Sequence, residues 1–545
     1  MKNKIYYLLF LGIICFCSFI HLGHWGVLES SEARYAEISR EMVTSGDFLQ
    51  PQLQGIYHFD KPPVTYWITS LGQKLFGTTP FGSRFFLSIA YLLQLILVFS
   101  ITFKWFNQQR LSEITTIIYA SLPVVIMSVR NLTTDAYLNT FSLLAIFLFT
   151  LHRKSKYPNI YLFLWGITLS ILFMIKGPVA WLLPILFIYP IIKICPQQNK
   201  VHRWIPWFTS IIVVLVGGLW YAILIKNNTG LWDFFTKEQL VDRFANAQIH
   251  KRSEPFYYYL YTYLPALLPW CFIPFTKIDK YTHSVKTIIL FTVVIPMLFF
   301  SIASSKLILY PLPTAFSFAV WFGYVFNRMI STKAIRRHQL IEIFFLLLPL
   351  GLGAYAFILL EGISHWWYIL LVVATFLLYV ITFTRKEAKD QILIASLAIP
   401  MILVPFSGYI LNKMIIDANG TTPVTNFIQE RGLQHAPIVV YNQRIASFDF
   451  QLQKRTYAIE DGSYLLKRNT SFQKDDQWRK YLLSFKTQKE QIIQLLSRPS
   501  VLIFKRHIPE QAEILTRYYD KQKQIGKWII FYNLHDIESS KHRFE

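Results

Sequence analysis

Long apolar runs dominate the first three quarters of the chain. They begin at Ile5, recur until about Leu411, and are separated by short polar or basic stretches. A run of about 20 apolar residues matches the thickness of a bilayer's hydrocarbon core. The pattern predicts thirteen membrane-spanning helices, at 5–22, 82–103, 113–129, 138–151, 160–175, 178–194, 205–226, 257–275, 287–303, 307–326, 339–360, 366–384 and 391–411. After residue 411 the material changes. Short β-rich runs (Ile438–Tyr441, Val501–Phe504, Trp528–Tyr532) surround a polar helical stretch near 473–497, which reads as a small α/β domain. The expected fold is a polytopic α-helical membrane protein over 1–411, with a small extracytoplasmic α/β domain over 412–545.

Composition agrees with this reading and narrows it. Of 545 residues, 53% are hydrophobic and only 16% charged, against ~25% charged in soluble domains. The net charge of +23, from 54 basic and 31 acidic residues, would suggest nucleic acid in a soluble protein. Here the excess follows the loops. One side carries Lys104 and Arg110; Arg153, Lys154 and Lys156; Lys193, Lys200 and Arg203; Lys277, Lys280 and Lys286; Arg328, Lys333, Arg336 and Arg337; Arg385, Lys386 and Lys389. The short loops of the other side hold only Arg130, Lys176 and Lys306. By the positive-inside rule the N-terminus is cytoplasmic, and the basic excess is topological, so nucleic acid drops out as a partner. Lys2 and Lys4 precede the first run, but His21, His24 and Trp25 follow it in place of a small-residue cleavage site, so a retained helix is expected. The four cysteines all fall in or beside apolar stretches, and the tail needs no disulfide framework. The 15 Trp, 31 Tyr and 46 Phe fit interfacial aromatic belts as readily as sugar stacking.

This topology leaves three long segments outside: loop 23–81, loop 227–256 and the tail. The tail holds 21 basic and 14 acidic residues, a balance that favours anionic headgroups, although solvated surface charge is the commoner explanation. Loops as long as the first usually carry function. Residues 29–48 predict a helix capped by Ser30 or Ser31 and ended by Gly46. Tyr35, Ile38 and Met42 share one face of it, the pattern of a helix lying along the membrane. The loop returns through Tyr57-His58-Phe59-Asp60-Lys61-Pro62-Pro63. Glu29, Glu32, Arg34, Asp60 and Lys61 thus stand near the bilayer surface, a mixture suited to chemistry on a lipid phosphate: cations hold the phosphate, and a carboxylate accepts a proton or binds a metal. An ordinary charged helix with i,i+4 pairs explains the same spacing. Arg130, Asp135, Lys176 and Lys306 add charge on the same side. Any one of them could snorkel to the interface, but together they form a largely cationic set facing one leaflet.

The stretch SEARYAEISREMVTSGDF, followed by FDKPPVTYW, resembles the first loop of bacterial GT-C glycosyltransferases. The nearest type is the aminoarabinose transferase that modifies lipid A, and protein O-mannosyltransferases are more distant relatives. TTDAY, IKGP, the loop around KEQLVDRF and HKRSEPFYYY, and SKLILYPLP resemble later landmarks of that family in the same order. The resemblance implies a GT-C fold in the bacterial inner membrane with a periplasmic tail, a polyprenyl-phosphate sugar as donor, and a lipid or protein acceptor. It implies that Arg34 and Lys61 contact the donor phosphate and that Asp60 lies near a divalent metal. It also places Asp135, Lys176, Arg243 and Tyr310 on the polar positions of the cavity, and Lys306 joins the donor-phosphate set.

The chain departs from the family in two places. Where the family often has the catalytic aspartate, this chain has Ser31. Glu32 keeps the second carboxylate and is expected to do the work, with Glu29 as a substitute one turn earlier if the helix starts there. Gln239 stands where a histidine is often found, which leaves His58, Glu238 and His250 as metal ligands beside Asp60, although surface or core roles suit both histidines better. The competing classes are a protein O-mannosyltransferase-like enzyme, a lipid flippase or transporter, and an inactive scaffold. No internal repeat of the transporter kind is visible.

Overall fold

The computed structural model describes residues 12–14, 16–242, 254–275, 282–359, 370, 373, 377, 380, 387–462, 472–473 and 476–533. By packing these fall into two compact units. The first holds Met1–Leu22, Asp60–Thr65 and Arg84–Ile410; the second holds Gly23–Phe59, Tyr66–Ser83 and Leu411–Glu545.

The first unit is helical. Among the described residues five helices are long and apolar enough to cross a membrane: Pro80–Phe106, Thr134–Lys154, Pro158–Lys176, Ile205–Asn227 and His283–Ile302. A sixth is broken. Gln109–Ser121 and Pro123–Arg130 meet at a 58° bend, because Pro123 lacks an N–H and its ring displaces the preceding carbonyl, leaving Leu122 extended. The expected span 257–275 is not a continuous helix. It consists of short turns at Tyr258–Thr262, Pro265–Leu267 and Trp270–Phe275, interrupted by Pro265 and Pro269. Of the expected span 5–22, residues 12–14 and 16–22 are described and are helical at 12–14 and 16–19, while the expected span 366–384 lies largely outside the described residues.

Buried polar groups fix how these helices pack. Tyr119 donates to Gln94 Oε1 at 2.7 Å and accepts from Asn139 Nδ2 at 2.7 Å. Gln94 Nε2 in turn donates to Ala136 O and Thr140 Oγ1. Inside an apolar bundle such amides must find partners, so the network specifies one register for three helices. Arg130, buried at the end of the bent pair, donates to the carbonyls of Ser18 and Ile20.

The second unit is a six-stranded sheet that shares its core with the first loop. The loop contributes a two-residue hairpin, β1 (Gln52–Leu53) and β2 (Ile56–Tyr57). The tail contributes β3 (Ile438–Tyr441), β4 (Tyr457–Glu460), β5 (Leu482–Ser484), β6 (Val501–Lys505), β7 (Lys521–Ile525) and β8 (Trp528–Tyr532), in the order β5-β4-β3-β6-β8-β7. The β5-β4-β3-β6 half is parallel, while β6-β8-β7 is antiparallel. Strands β3 and β6 are apolar at nearly every position, as strands covered on both faces must be. One face packs Phe427, Ile428, Phe448 and Trp528, and the other packs Ile492, Leu496 and Phe531. The three tail strands expected from sequence all form. The expected helical stretch 473–497 is interrupted by β5, and its helix proper covers only Lys489–Leu496.

Candidate functional site

Three residues singled out in the sequence meet inside the helical unit. Thr133 caps the helix Thr134–Lys154, and Asp135 sits in that helix's first turn. Lys176 is the last residue of Pro158–Lys176, where Gly177 ends the helix at φ +70, a conformation glycine adopts without strain. A carboxylate at a helix N-terminus and an ammonium at a C-terminus are each favoured by the helix dipole. The antiparallel neighbours bring the two ends together, and Lys176 Nζ donates to Asp135 Oδ1 at 2.5 Å. The Thr133 hydroxyl donates to the other carboxylate oxygen at 3.1 Å. The Tyr310 ring lies under the ammonium, 4.7 Å from Nζ to its centroid. The pair is nearly buried, at 10% and 11% side-chain exposure.

Lys306 lies in the same unit. It is 3% exposed, and its Nζ donates to the Glu254 carbonyl at 2.8 Å. The carbonyl of the next residue, Leu307, accepts from the Tyr259 hydroxyl, and Tyr263 reaches Pro311 O. The segment that carries Tyr310 is therefore clamped by two tyrosines. Asp60 and Lys61 also belong to this unit, and both are half-buried. Arg243 and His250 lie outside the described residues.

Glu29, Glu32 and Arg34 belong to the second unit. The helix forms over Ser31–Ser45, and Gly46 at φ +75 closes it through a bond to Met42 O, as expected. Its burial differs from the expectation of a single apolar face. From Glu32 to Met42 every residue except Arg34 is buried. Ser39 donates to Tyr66 O, Gln73 donates to Ala36 O, and the helix packs against Ala446–Leu452. Arg40 forms a two-pronged pair with Glu37 at 2.6 and 2.7 Å, which makes burial of both charges tolerable. Glu32 is 2% exposed, and its carboxylate accepts the Leu28 N–H at 2.9 Å. Arg34 remains half-buried, with Nε donating to Ser30 O. Glu29 lies before the helix, so it does not stand one turn behind Glu32. Its carboxylate accepts the Ser447 N–H at 2.6 Å, and burial pushes its pKa up.

Among the described residues no three His, Cys, Asp or Glu side chains converge so as to hold a metal ion. His58 is buried in the second unit, and Glu238 is half-buried in the first. His250, the fourth of the expected metal donors, lies outside the described residues. The sequence did not point to Thr133 or Glu254. Thr133 had a signal, because Thr two residues before Asp at a helix start is a capping pattern.

Residues 60–221 match a family model described as dolichyl-phosphate-mannose-protein mannosyltransferase. The chain is 28% identical over 412 residues to an undecaprenyl phosphate-alpha-4-amino-4-deoxy-L-arabinose arabinosyl transferase of Sodalis glossinidius (strain morsitans), covering 72% of this chain and 73% of the relative. It is 33% identical over 294 residues to the enzyme of that name from Aeromonas hydrophila, covering 52% and 53%. Among solved structures it superposes on ArnT from Cupriavidus metallidurans in the apo state with a TM-score of 0.73, at 17% identity and over 98% of this chain and 99% of that one. The same protein bound to undecaprenyl phosphate gives a TM-score of 0.72. These relatives agree with the resemblance read from the sequence, and the fold is that of ArnT from Cupriavidus metallidurans, with several helices long and apolar enough to cross a membrane.

Proposed function

We propose that this chain is an integral membrane glycosyltransferase that moves a sugar from a polyprenyl-phosphate donor to a lipid A-like acceptor. The similarity to undecaprenyl-phosphate arabinosyl transferases supports the donor class. The observation that carries the reading is the Lys176–Asp135–Tyr310 cluster, an ammonium held ready in a nearly buried place. In this reading the tail and the first loop face the periplasm, the N-terminus is cytoplasmic, and thirteen spans cross the inner membrane.

Displacement at the anomeric carbon breaks the bond to the donor phosphate, which gains negative charge as it leaves. Lys176 is positioned to meet that charge, and Asp135 and the Tyr310 ring fix its direction beforehand. Cations fixed in advance avoid reorganisation during the reaction, and this electrostatic contribution is usually the largest. Lys61 and Lys306 are two further cations of the helical unit proposed to meet that charge. Arg34 keeps the donor-phosphate contact that the family resemblance implies, and Arg243, which that resemblance places on the polar cavity, is proposed to join it. A phosphate on the acceptor is already ionised at neutral pH and needs little help from a base. That suits a chain with Ser31 in place of an aspartate, and Glu32 is the carboxylate left to orient the nucleophile.

The test uses purified protein, a panel of polyprenyl-phosphate sugars, and two acceptors: lipid A and a Ser/Thr-rich peptide. Transfer is read by mass spectrometry for wild type, Lys176→Ala, Lys61→Ala and Glu32→Gln. Transfer to lipid A that falls in the variants supports the proposal. Transfer to the peptide alone moves the acceptor to protein, and lipid movement across vesicles without any transfer replaces the enzyme with a flippase.

A further inference from the structure

We infer that the second unit carries a phosphate-binding site at the Lys505 end of the β6–β8 strand pair, built from Lys505 and Arg506, which holds the phosphorylated headgroup of the acceptor lipid. This rests on the proposed function only in calling that lipid the acceptor.

Register brings the cations together. Lys505 is paired with Trp528 on the last rung between β6 and β8. One residue on, the Arg506 N–H donates to Lys527 O at 2.6 Å. Lys505, Arg506 and Lys527 therefore share one end of the sheet. Arg34, whose Nε is held by Ser30 O, lies near enough to lower the pKa of the Glu29 carboxyl, as Lys505 does. Burial and the basic neighbours hold the Lys505 and Lys527 ammoniums below the ordinary lysine range, as expected for cations crowded without enough counter-charge.

The nearby carboxylates do not cancel them. Glu29 receives the Ser447 N–H, and Asp417 acts on Lys527, leaving four cations against two anions. Lys527 is part of the frame, since its Nζ donates to Ile416 O at 3.0 Å and Asn419 Oδ1 at 2.8 Å. Lys505 is half-buried and Arg506 exposed, so these two keep cationic groups that a ligand can reach. An arginine fork beside a lysine is a combination suited to a phosphate.

Backbone conformation points the same way. Arg506 has φ +73, in the left-handed region, which disfavours L residues by roughly 1–2 kcal/mol. Gly526, in the β7–β8 turn beside it, also has a positive φ, and there a Cβ would come within 2.5 Å of Ile416. The chain thus places glycine where only space and freedom are required, and keeps arginine at a strained position where its side chain is of use. Position along the chain suits a lipid. Ile416, to which Lys527 is tied, follows the long helix Ala388–Lys413 by three residues.

The test uses the full-length protein in neutral phosphatidylcholine nanodiscs. Binding of lipid A, of lipid A stripped of its phosphates, and of undecaprenyl phosphate is measured for wild type and for Lys505→Gln/Arg506→Gly, in which glycine relieves the backbone. Lys521→Gln/Lys523→Gln removes two exposed charges from neighbouring β7 as a control. The double variant is expected to weaken lipid A binding at least about tenfold, the scale of one or two lost charge-assisted bonds. Undecaprenyl phosphate binding and dephosphorylated lipid A binding should stay as they are, melting temperature should not fall, and the β7 control should bind like wild type. Wild-type affinity in the double variant overturns the site. So does an equal loss for undecaprenyl phosphate, which would make it a donor site, or an equal loss in the β7 control, which would make it unspecific surface charge. Competition by nanodiscs containing phosphatidylglycerol as effective as lipid A itself would assign the site to bulk anionic lipid and overturn the acceptor role. These readouts need no turnover: intact lipid A binding with no transfer from any donor would defeat the proposed function and leave the site standing.

Discussion

At the scale of single residues, the helical unit turns on one ion pair. Replacing Lys176 by Ala removes the fixed cation and is expected to lower kcat by ~10²–10³ with a smaller effect on donor KM, measured by steady-state transfer. Asp135→Asn leaves Lys176 without its charge partner and is expected to raise donor KM as well, because the ammonium is no longer aimed. Both residues were legible in the sequence as charges beside apolar runs. Their pairing was not, since it depends on two helices ending side by side. A second carboxylate carries a pH signature. Burial pushes Asp449 up to about 7, against the pull of Thr456, which donates its N–H and hydroxyl to Oδ1. Unfolded aspartate ionises near ~4, so between about pH 4 and pH 7 the folded state binds the extra proton. Stability from this group is full below pH 4 and is lost as pH rises through 7. Hydrogen exchange in β3 and β4 should therefore be slower at pH 5 than at pH 8, after correction for intrinsic rates, and Asp449→Asn should flatten that difference.

At the scale of elements, the loop helix shows what periodicity can and cannot say. Its limits were readable from Ser31 and Gly46, but its surroundings were not. Glu37, Arg40 and Glu41 look like solvent-facing charges, and in the structure all three are buried. Glu37 and Arg40 pair with each other, but the sequence does not show that the pair is buried, and the cationic partner of Glu41, Arg455, lies 414 residues away. Glu41 accepts the Gln54 and Gly55 N–H groups and the Arg455 guanidinium, at 2.5, 3.1 and 3.1 Å. Glu41→Gln would leave this cationic partner without its charge, and is expected to destabilise the second unit by about 1–3 kcal/mol, seen as a lower melting temperature. Strand β7, KQKQI, escaped notice for a different reason: its first four residues are exposed, so no apolar alternation marks it. Lysines on such an edge discourage pairing with another chain. The span expected at 257–275 failed because an apolar run says nothing of backbone donors, and its prolines supply none.

At the scale of the whole molecule, the chain leaves and re-enters its second unit. Residues Gly23–Phe59 and Tyr66–Ser83 pack with Leu411–Glu545, a union that no local pattern announces. Expressed alone, residues 411–545 should melt lower and aggregate more readily than when residues 23–83 are co-expressed, because Ile56 packs on Ala458 and Leu482, and the loop helix covers Ala446–Leu452. Rescue by the co-expressed segment, read by light scattering, separates this from a tail that is merely unstable.

That interleaving also sets an order of events in the cell. The first loop is synthesised about 350 residues before the tail it packs against, which at ~5–20 residues per second is roughly 20–70 s of ribosome time. Throughout that interval the charges of the loop helix have no fold to receive them, and the segment must be shielded or remain unstructured. A message broken before β8 would yield a polypeptide whose first loop never finds the sheet it packs with, so maturation of the second unit waits on strands made long after that loop.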